Sequence, residues 1–223
     1  MSTPNFLLLF TAMLVAAAGN TALQSVMPAI GREIGIADFW VAVAYTWSAV
    51  LWVALAPFWA RKSDHHGRKP LILLGLGGFI ISMALCGLVL SAGLKGLLSG
   101  AATFGLFAIF RAIYGSLGCA TPSATQAYLA SKTRRSARVN ALSALASSFG
   151  LGTIIGPAMA PMFVLPFVGL PGPLYAFALI GVIVFAMIAL WLPNDTPGRR
   201  TGRGAAMSYP SLGAPVTGAS VVA

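Results

Sequence analysis

Acidic residues are almost missing from this chain: Glu33, Asp38, Asp64 and Asp195 are the whole set in 223 residues. Charge of either sign is sparse, at 8% of residues against 58% hydrophobic ones. A water-soluble domain carries roughly 25% charged residues. So few charges cannot cover a surface in water, which excludes a soluble globular fold and indicates an integral membrane protein. Cysteine is scarce too. Cys86 and Cys119 are the only two, both inside apolar runs. That excludes a disulfide framework and gives no metal-ligand spacing; both read as small buried hydrophobes. The only histidines, His65 and His66, are adjacent, which is poor metal-ligand spacing, and no Cys or further His is near them. No metal and no cofactor are expected.

Basic residues are what charge there is, and the net charge is +10. They sit in short segments between apolar runs rather than in a continuous patch, so nucleic acid is not the expected partner. The lipid bilayer is. A helix needs about 20 apolar residues to cross the hydrocarbon core. Six runs qualify: Phe6–Ile30, Phe39–Ala60, Leu71–Ala92, Leu97–Ala130, Val139–Val164 and Leu174–Leu192. The first has no Lys or Arg ahead of it and continues well past Ala16-Ala17-Ala18, so it reads as a transmembrane helix rather than a signal peptide. The fourth is too long to be wholly in the membrane. The domain plan is thus a short N-terminus (1–5), a six-span membrane domain (6–193) and a Gly, Pro, Ser and Arg-rich tail (194–223) that reads as a disordered cytoplasmic linker.

The distribution of Lys and Arg sets the orientation. The segment Ala60–Pro70, read as a short basic loop, carries Arg61, Lys62, Arg68 and Lys69. The next loop on that side carries Lys132, Arg134, Arg135 and Arg138, and the tail carries Arg199, Arg200 and Arg203. The opposite side has only Arg32 and Lys95. Both termini are therefore expected in the cytoplasm.

Arg111 is the one charge well inside a span. It lies fourteen residues into the fourth run, roughly 21 Å along a helix. A guanidinium there costs at least ~2.5–3.5 kcal/mol on insertion scales. It must face a wet cavity or a partner, as a cation that binds an anionic group or biases a proton site, or else as a structural arginine. Asn20 and Gln24 are four apart in span one and share a helix face, opposite which Arg111 can sit. Tyr114, Tyr45, Trp47 and Gln126 are further candidates, although Tyr and Trp near span ends are commonly interface anchors. Gly152 and Gly156 form a small-xxx-small face that admits a neighbouring helix closely, and Pro157 removes a backbone donor. Asp64, a lone acid among basic neighbours, can make charge-assisted hydrogen bonds or hold a helix N-terminus as a latch. With His65 and His66 it is the only cluster a membrane-embedded enzyme could use, and an enzyme is not expected.

Taken together, these residues resemble the major facilitator superfamily. Ala60–Lys69 is similar to its loop between spans two and three, Gly-x-x-x-Asp-Arg-x-Gly-Arg-Arg/Lys: Asp64, Gly67, Arg68 and Lys69 match, while Ala60 replaces Gly and His65 replaces Arg. Arg111 with Gly115 resembles the fourth-span Arg-x-x-x-Gly pattern. Gly152–Pro157 resembles the fifth-span signature of drug:proton antiporters of the tetracycline-efflux type, with Ala160-Pro161 where Gly-Gly usually follows. Two further departures each remove a carboxylate: Gly19-Asn20 where a first-span Asp is often found, and Ser131 where span four often ends in Asp.

The resemblance implies an all-α fold of two inverted three-helix units. It also implies alternating access with the Asp64–Lys69 segment as a cytoplasmic gate, and efflux of small amphipathic compounds across a bacterial inner membrane, with proton antiport once a second half is present. Family members have about twelve spans. The chain is therefore expected to be an N-terminal half, with a second six-helix half or a second copy as partner. The alternatives are a homodimeric half-transporter without proton coupling and a non-transporting remnant.

Overall fold

The computed structural model describes residues 3–166 and 168–194; the side chains of 64–66 and the tail from 195 lie outside the described residues. Six helical spans account for nearly all of it. α1 (Thr3–Ile34), α2 (Asp38–His66) and α3 (Arg68–Leu94) are single helices. Span four is α4 (Gly100–Ile113), a π-helical turn (Tyr114–Gly118) and α5 (Ala120–Lys132). Span five is α6 (Arg138–Met159), flanked by 3-10 turns, and span six is α7 (Gly172–Trp191). With 27 residues, α3 is about 40 Å long at 1.5 Å per residue, more than the ~30 Å hydrocarbon core. Each expected span is present; the first three helices run past both expected ends, whereas span four starts at Gly100 rather than Leu97, and spans five and six stop at Phe163 and Trp191, one residue short.

α1 and α3 form the centre. Leu9, Leu23, Met27 and Ile30 of α1 and Ile72, Leu76, Phe79 and Met83 of α3 are almost wholly buried. α1 packs along α6 and α7, and α3 along spans four and six. α2 and α6 lie at the outside. α2 alone exposes Phe39, Trp40, Val43, Trp47, Val50, Val53 and Phe58. In water such a continuous apolar face would drive association; in a bilayer, lipid or another membrane helix covers it.

Two expectations are corrected. The basic segment 60–70 is not a loop. α2 continues to His66 and α3 begins at Arg68, so Gly67 alone separates them. Its φ of 87° and ψ of 154° fall where essentially only glycine is found, and one such residue reverses the chain. Lys and Arg are good helix formers, so nothing in the basic residues themselves stops the helices earlier. Gly67→Ala should therefore cost about 1–3 kcal/mol, read as a lower midpoint in thermal or SDS unfolding. An unchanged midpoint would contradict the turn.

Span four, second, is not one regular α-helix. At Tyr114–Gly118 it widens by a π turn, which frees carbonyls for donors from α2. Ser48 Oγ donates to the Arg111 carbonyl (3.2 Å) and Trp59 Nε1 donates to the Ser116 carbonyl (2.7 Å). Gly75 and Gly78 of α3 let the widened turn sit close, since a Cβ at Gly78 would lie 2.6 Å from that of Leu117. π turns inside α-helices are frequent at functional sites, and this one begins three residues after Arg111.

Candidate functional site

An open-sided cavity of about 430 Å³ lies among α1, α2, span four and α6. α1 contributes Asn20 and Gln24, α2 contributes Tyr45, Ser48 and Trp52, span four contributes Arg111 and Tyr114, and α6 contributes Phe149. Arg111 lines the cavity and is only 2% exposed. Its Nη2 donates a hydrogen bond to Asn20 Oδ1. Its guanidinium carbon lies 4.7 Å from the Tyr114 ring centroid and 5.3 Å from that of Tyr45, so two ring faces hold the cation. Those rings are themselves fixed: Tyr114 packs on Trp52 at 5.3 Å and on Phe79 at 5.8 Å, and Tyr45 on Phe107 at 6.3 Å.

The cation is positioned but not neutralised. Among the described residues no acid lines the cavity, and Arg111 Nε, Arg111 Nη1 and Tyr45 Oη have no hydrogen-bond partner. Arginine carries five N–H donors and no acceptor, so most of its hydrogen-bonding capacity is left without a protein partner beside the cavity.

The expected cavity residues thus come together: Asn20 bonds Arg111, Tyr114 stacks beside it and Gln24 lines the same space. Tyr45 belongs with them, as an arginine partner rather than an interface anchor. Trp47 is 51% exposed and Gln126 is exposed; neither reaches the cavity. Ser48 and Trp52 are site residues that the sequence reading missed. The signal was there, because positions 45, 48 and 52 follow the i, i+3, i+7 spacing of one helix face.

The Arg-x-x-x-Gly and small-xxx-small patterns act behind the cavity. A Cβ at Gly115 would lie 2.5 Å from the Ser48 carbonyl oxygen, so bare backbone there lets α2 bring Tyr45 and Ser48 to Arg111. Gly152 and Gly156 of α6 meet α1 at Leu14, Ala17, Ala18 and Thr21. Thr21 Oγ1 lies 3.5 Å from the Gly152 carbonyl. These glycines brace the turn of α1 that ends at Asn20. Pro157 stands two residues before α6 ends, not at its middle.

The Gly67–Lys69 end is separate, about 22 Å along α2 from Trp52 at 1.5 Å per residue. Lys69 Nζ donates to the Ala189 carbonyl in the last turn of α7 (2.8 Å), a favourable place for a cation. Tyr128 Oη donates to the Pro193 carbonyl nearby (3.2 Å). Spans three, four and six are pinned together at this end. The Asp64 side chain and the tail expected to be a linker lie outside the described residues.

The pattern of the Major Facilitator Superfamily matches residues 9–221. The chain belongs to the Major Facilitator Superfamily. It is a multi-pass membrane protein of a transporter family, and its relatives within that superfamily include drug-efflux proteins. It is 30% identical over 189 residues to the tetracycline resistance protein, class B, of Escherichia coli, covering 80% of this chain and 41% of that protein. It is 27% identical to the multidrug resistance protein MdtG of Proteus mirabilis, over 69% of this chain and 36% of that one. It is 26% identical to the staphyloferrin B transporter of Staphylococcus aureus, over 86% and 44% respectively. The chain spans less than half the length of these relatives. Its fold matches the crystal structure of the human organic anion transporter MFSD10 (TETRAN) with a TM-score of 0.63 and 20% identity, over 86% of this chain and 49% of that one. A Major Facilitator Superfamily half therefore accounts for the six spans.

Proposed function

We propose that this chain is the N-terminal six-helix half of a secondary transporter that exports small amphipathic compounds by alternating access, with the Arg111 cavity as its substrate site. One observation carries this reading: a buried, uncompensated guanidinium lining a cavity with aromatic walls. Such a group inside a membrane is expensive and marks a substrate or ion path. The exposed apolar faces of α2 and α6, beside that cavity, suit a second six-helix half, which the lengths of the relatives also favour. The Lys and Arg distribution supports cytoplasmic termini, and the bacterial relatives favour a bacterial inner membrane. Proton antiport then needs a carboxylate from the second half, because no acid lines this cavity among the described residues.

The test combines mass and transport. The chain is purified in detergent, its mass is measured by light scattering corrected for detergent, and counterflow of amphipathic compounds of both charge signs is measured in proteoliposomes. A dimer with saturable counterflow means that a second copy completes the transporter. A monomer gaining counterflow only when co-reconstituted with a C-terminal half of a relative means that the missing half does. No counterflow in either setting overturns the reading.

The gate is proposed for the Asp64–Lys69 segment on its resemblance to the family loop. Asp64→Asn is expected to lower counterflow at least tenfold while membrane insertion, read by protease accessibility of the tail, stays as in the wild type. Unchanged counterflow would remove Asp64 from the gate.

A further inference from the structure

We propose that the cavity binds the anionic head of an amphipathic aromatic compound, a carboxylate or phenolate, and rejects cations of the same shape. This rests on the cavity being the substrate site, and it narrows the substrate to one charge sign.

Charge comes first. Arg111 is the only formal charge among the lining residues, and it is held by Asn20 and two ring faces. A bound cation would meet a like charge, with no acid among the described lining residues to offset it. An anion meets its counter-charge. Hydrogen-bonding capacity comes second. Arg111 Nε, Arg111 Nη1 and Tyr45 Oη are buried donors without a protein acceptor. All three belong to side chains in direct contact, since the guanidinium carbon is 5.3 Å from the Tyr45 ring. Guanidinium and phenol donors together suit an oxygen anion with two or more acceptor lone pairs. A neutral amide could take some of these bonds, but it would leave the charge uncompensated. Shape comes third. Trp52 and Phe149 line the same cavity, and Trp52 is already packed against Tyr114. A flat apolar body can lie on these rings while its head reaches Arg111. The volume of about 430 Å³ is within the range of small-molecule sites, roughly 300–1,000 Å³.

The test uses the full chain in lipid nanodiscs and two probes with one ring system, 2-naphthoate and 2-naphthylmethylammonium. Binding is measured by equilibrium dialysis at fixed pH and ionic strength. The naphthoate should bind at least tenfold more tightly than the ammonium. Arg111→Gln should abolish that preference, and Arg111→Lys should keep its sign but weaken it. Tyr45→Phe should weaken naphthoate severalfold and leave the ammonium unchanged, a difference that general unfolding cannot produce. Equal or tighter binding of the ammonium, no binding of naphthoate, or naphthoate binding indifferent to Arg111→Gln would each overturn the proposal. Counterflow of the same two probes separates it from the transport reading. Counterflow of the ammonium alone overturns the anion site and leaves transport standing. Naphthoate bound with the expected preference but never moved supports the site and counts against transport.

Discussion

Arg111→Ala should insert into the membrane at least as well as the wild type and lose transport. The two halves of that result have one cause. On insertion scales an intramembrane guanidinium costs ~2.5–3.5 kcal/mol, so removing it favours insertion. The same group supplies the only charge in the cavity, and hydrogen bonds to a charged group contribute about 1.5–3 kcal/mol each. Losing one or two such bonds lowers substrate affinity by roughly 10-fold to more than 1,000-fold at 1.4 kcal/mol per tenfold. Arg111→Lys should fall between, because an ammonium keeps the charge but lacks the planar fork and stacks less well between the Tyr45 and Tyr114 rings. The measurement is counterflow in proteoliposomes beside the yield of monodisperse protein. Wild-type counterflow in the alanine variant would return Arg111 to a purely structural role. Loss of both yield and counterflow would mean that the Asn20 contact and the ring cage hold the fold, and that the energetic argument for a functional cation is wrong.

The spans were legible because hydrophobic runs of membrane length have few other readings, and the Arg111–Asn20 contact because an intramembrane arginine must find a polar neighbour on a facing helix. The one-residue turn at Gly67 was not. A cluster of Arg, Lys, Asp and His looks like a loop by polarity, yet those residues also extend helices at a membrane edge, and only the backbone angles of Gly67 decide. The π turn was hidden for a different reason. It is selected by donors 57 to 63 residues away in sequence, Ser48 and Trp59, that take up the carbonyls it releases. In α2 only Tyr45 and Trp47 stood out as candidates, with an interface role as the alternative, and Ser48 and Trp52 were missed although they share the Tyr45 face at i, i+3, i+7 spacing. What tips the choice is a charge on another helix, and that is a tertiary fact.

Gly156→Leu should destroy the folded domain, whereas Gly150→Leu, earlier on the same helix, should be tolerated. A Cβ at Gly156 would run into the Ala18 carbonyl and the Thr21 hydroxyl of α1, and would lie 2.9 Å from the Ala18 carbonyl carbon. Backbone cannot swing aside as a flexible side chain can, so α1 and α6 must separate. Inserting even a methylene or two into a packed core costs about 1–3 kcal/mol, and a leucine adds more while opening contacts along the helix pair. Thr21→Ala would not rescue it, since the Ala18 carbonyl remains in the way. A Cβ at Gly150 would meet nothing within 4 Å, so leucine there only adds apolar surface on a face that is already exposed. Gly156→Ala, the smaller change, should fold with a lowered unfolding midpoint and reduced substrate binding, because the turn of α1 that is displaced carries Asn20 to Arg111. Equal losses at Gly150 and Gly156 would mean that helix propensity rather than close approach governs span five. A normal midpoint in Gly156→Leu would mean that α1 and α6 are not held together where these glycines meet α1.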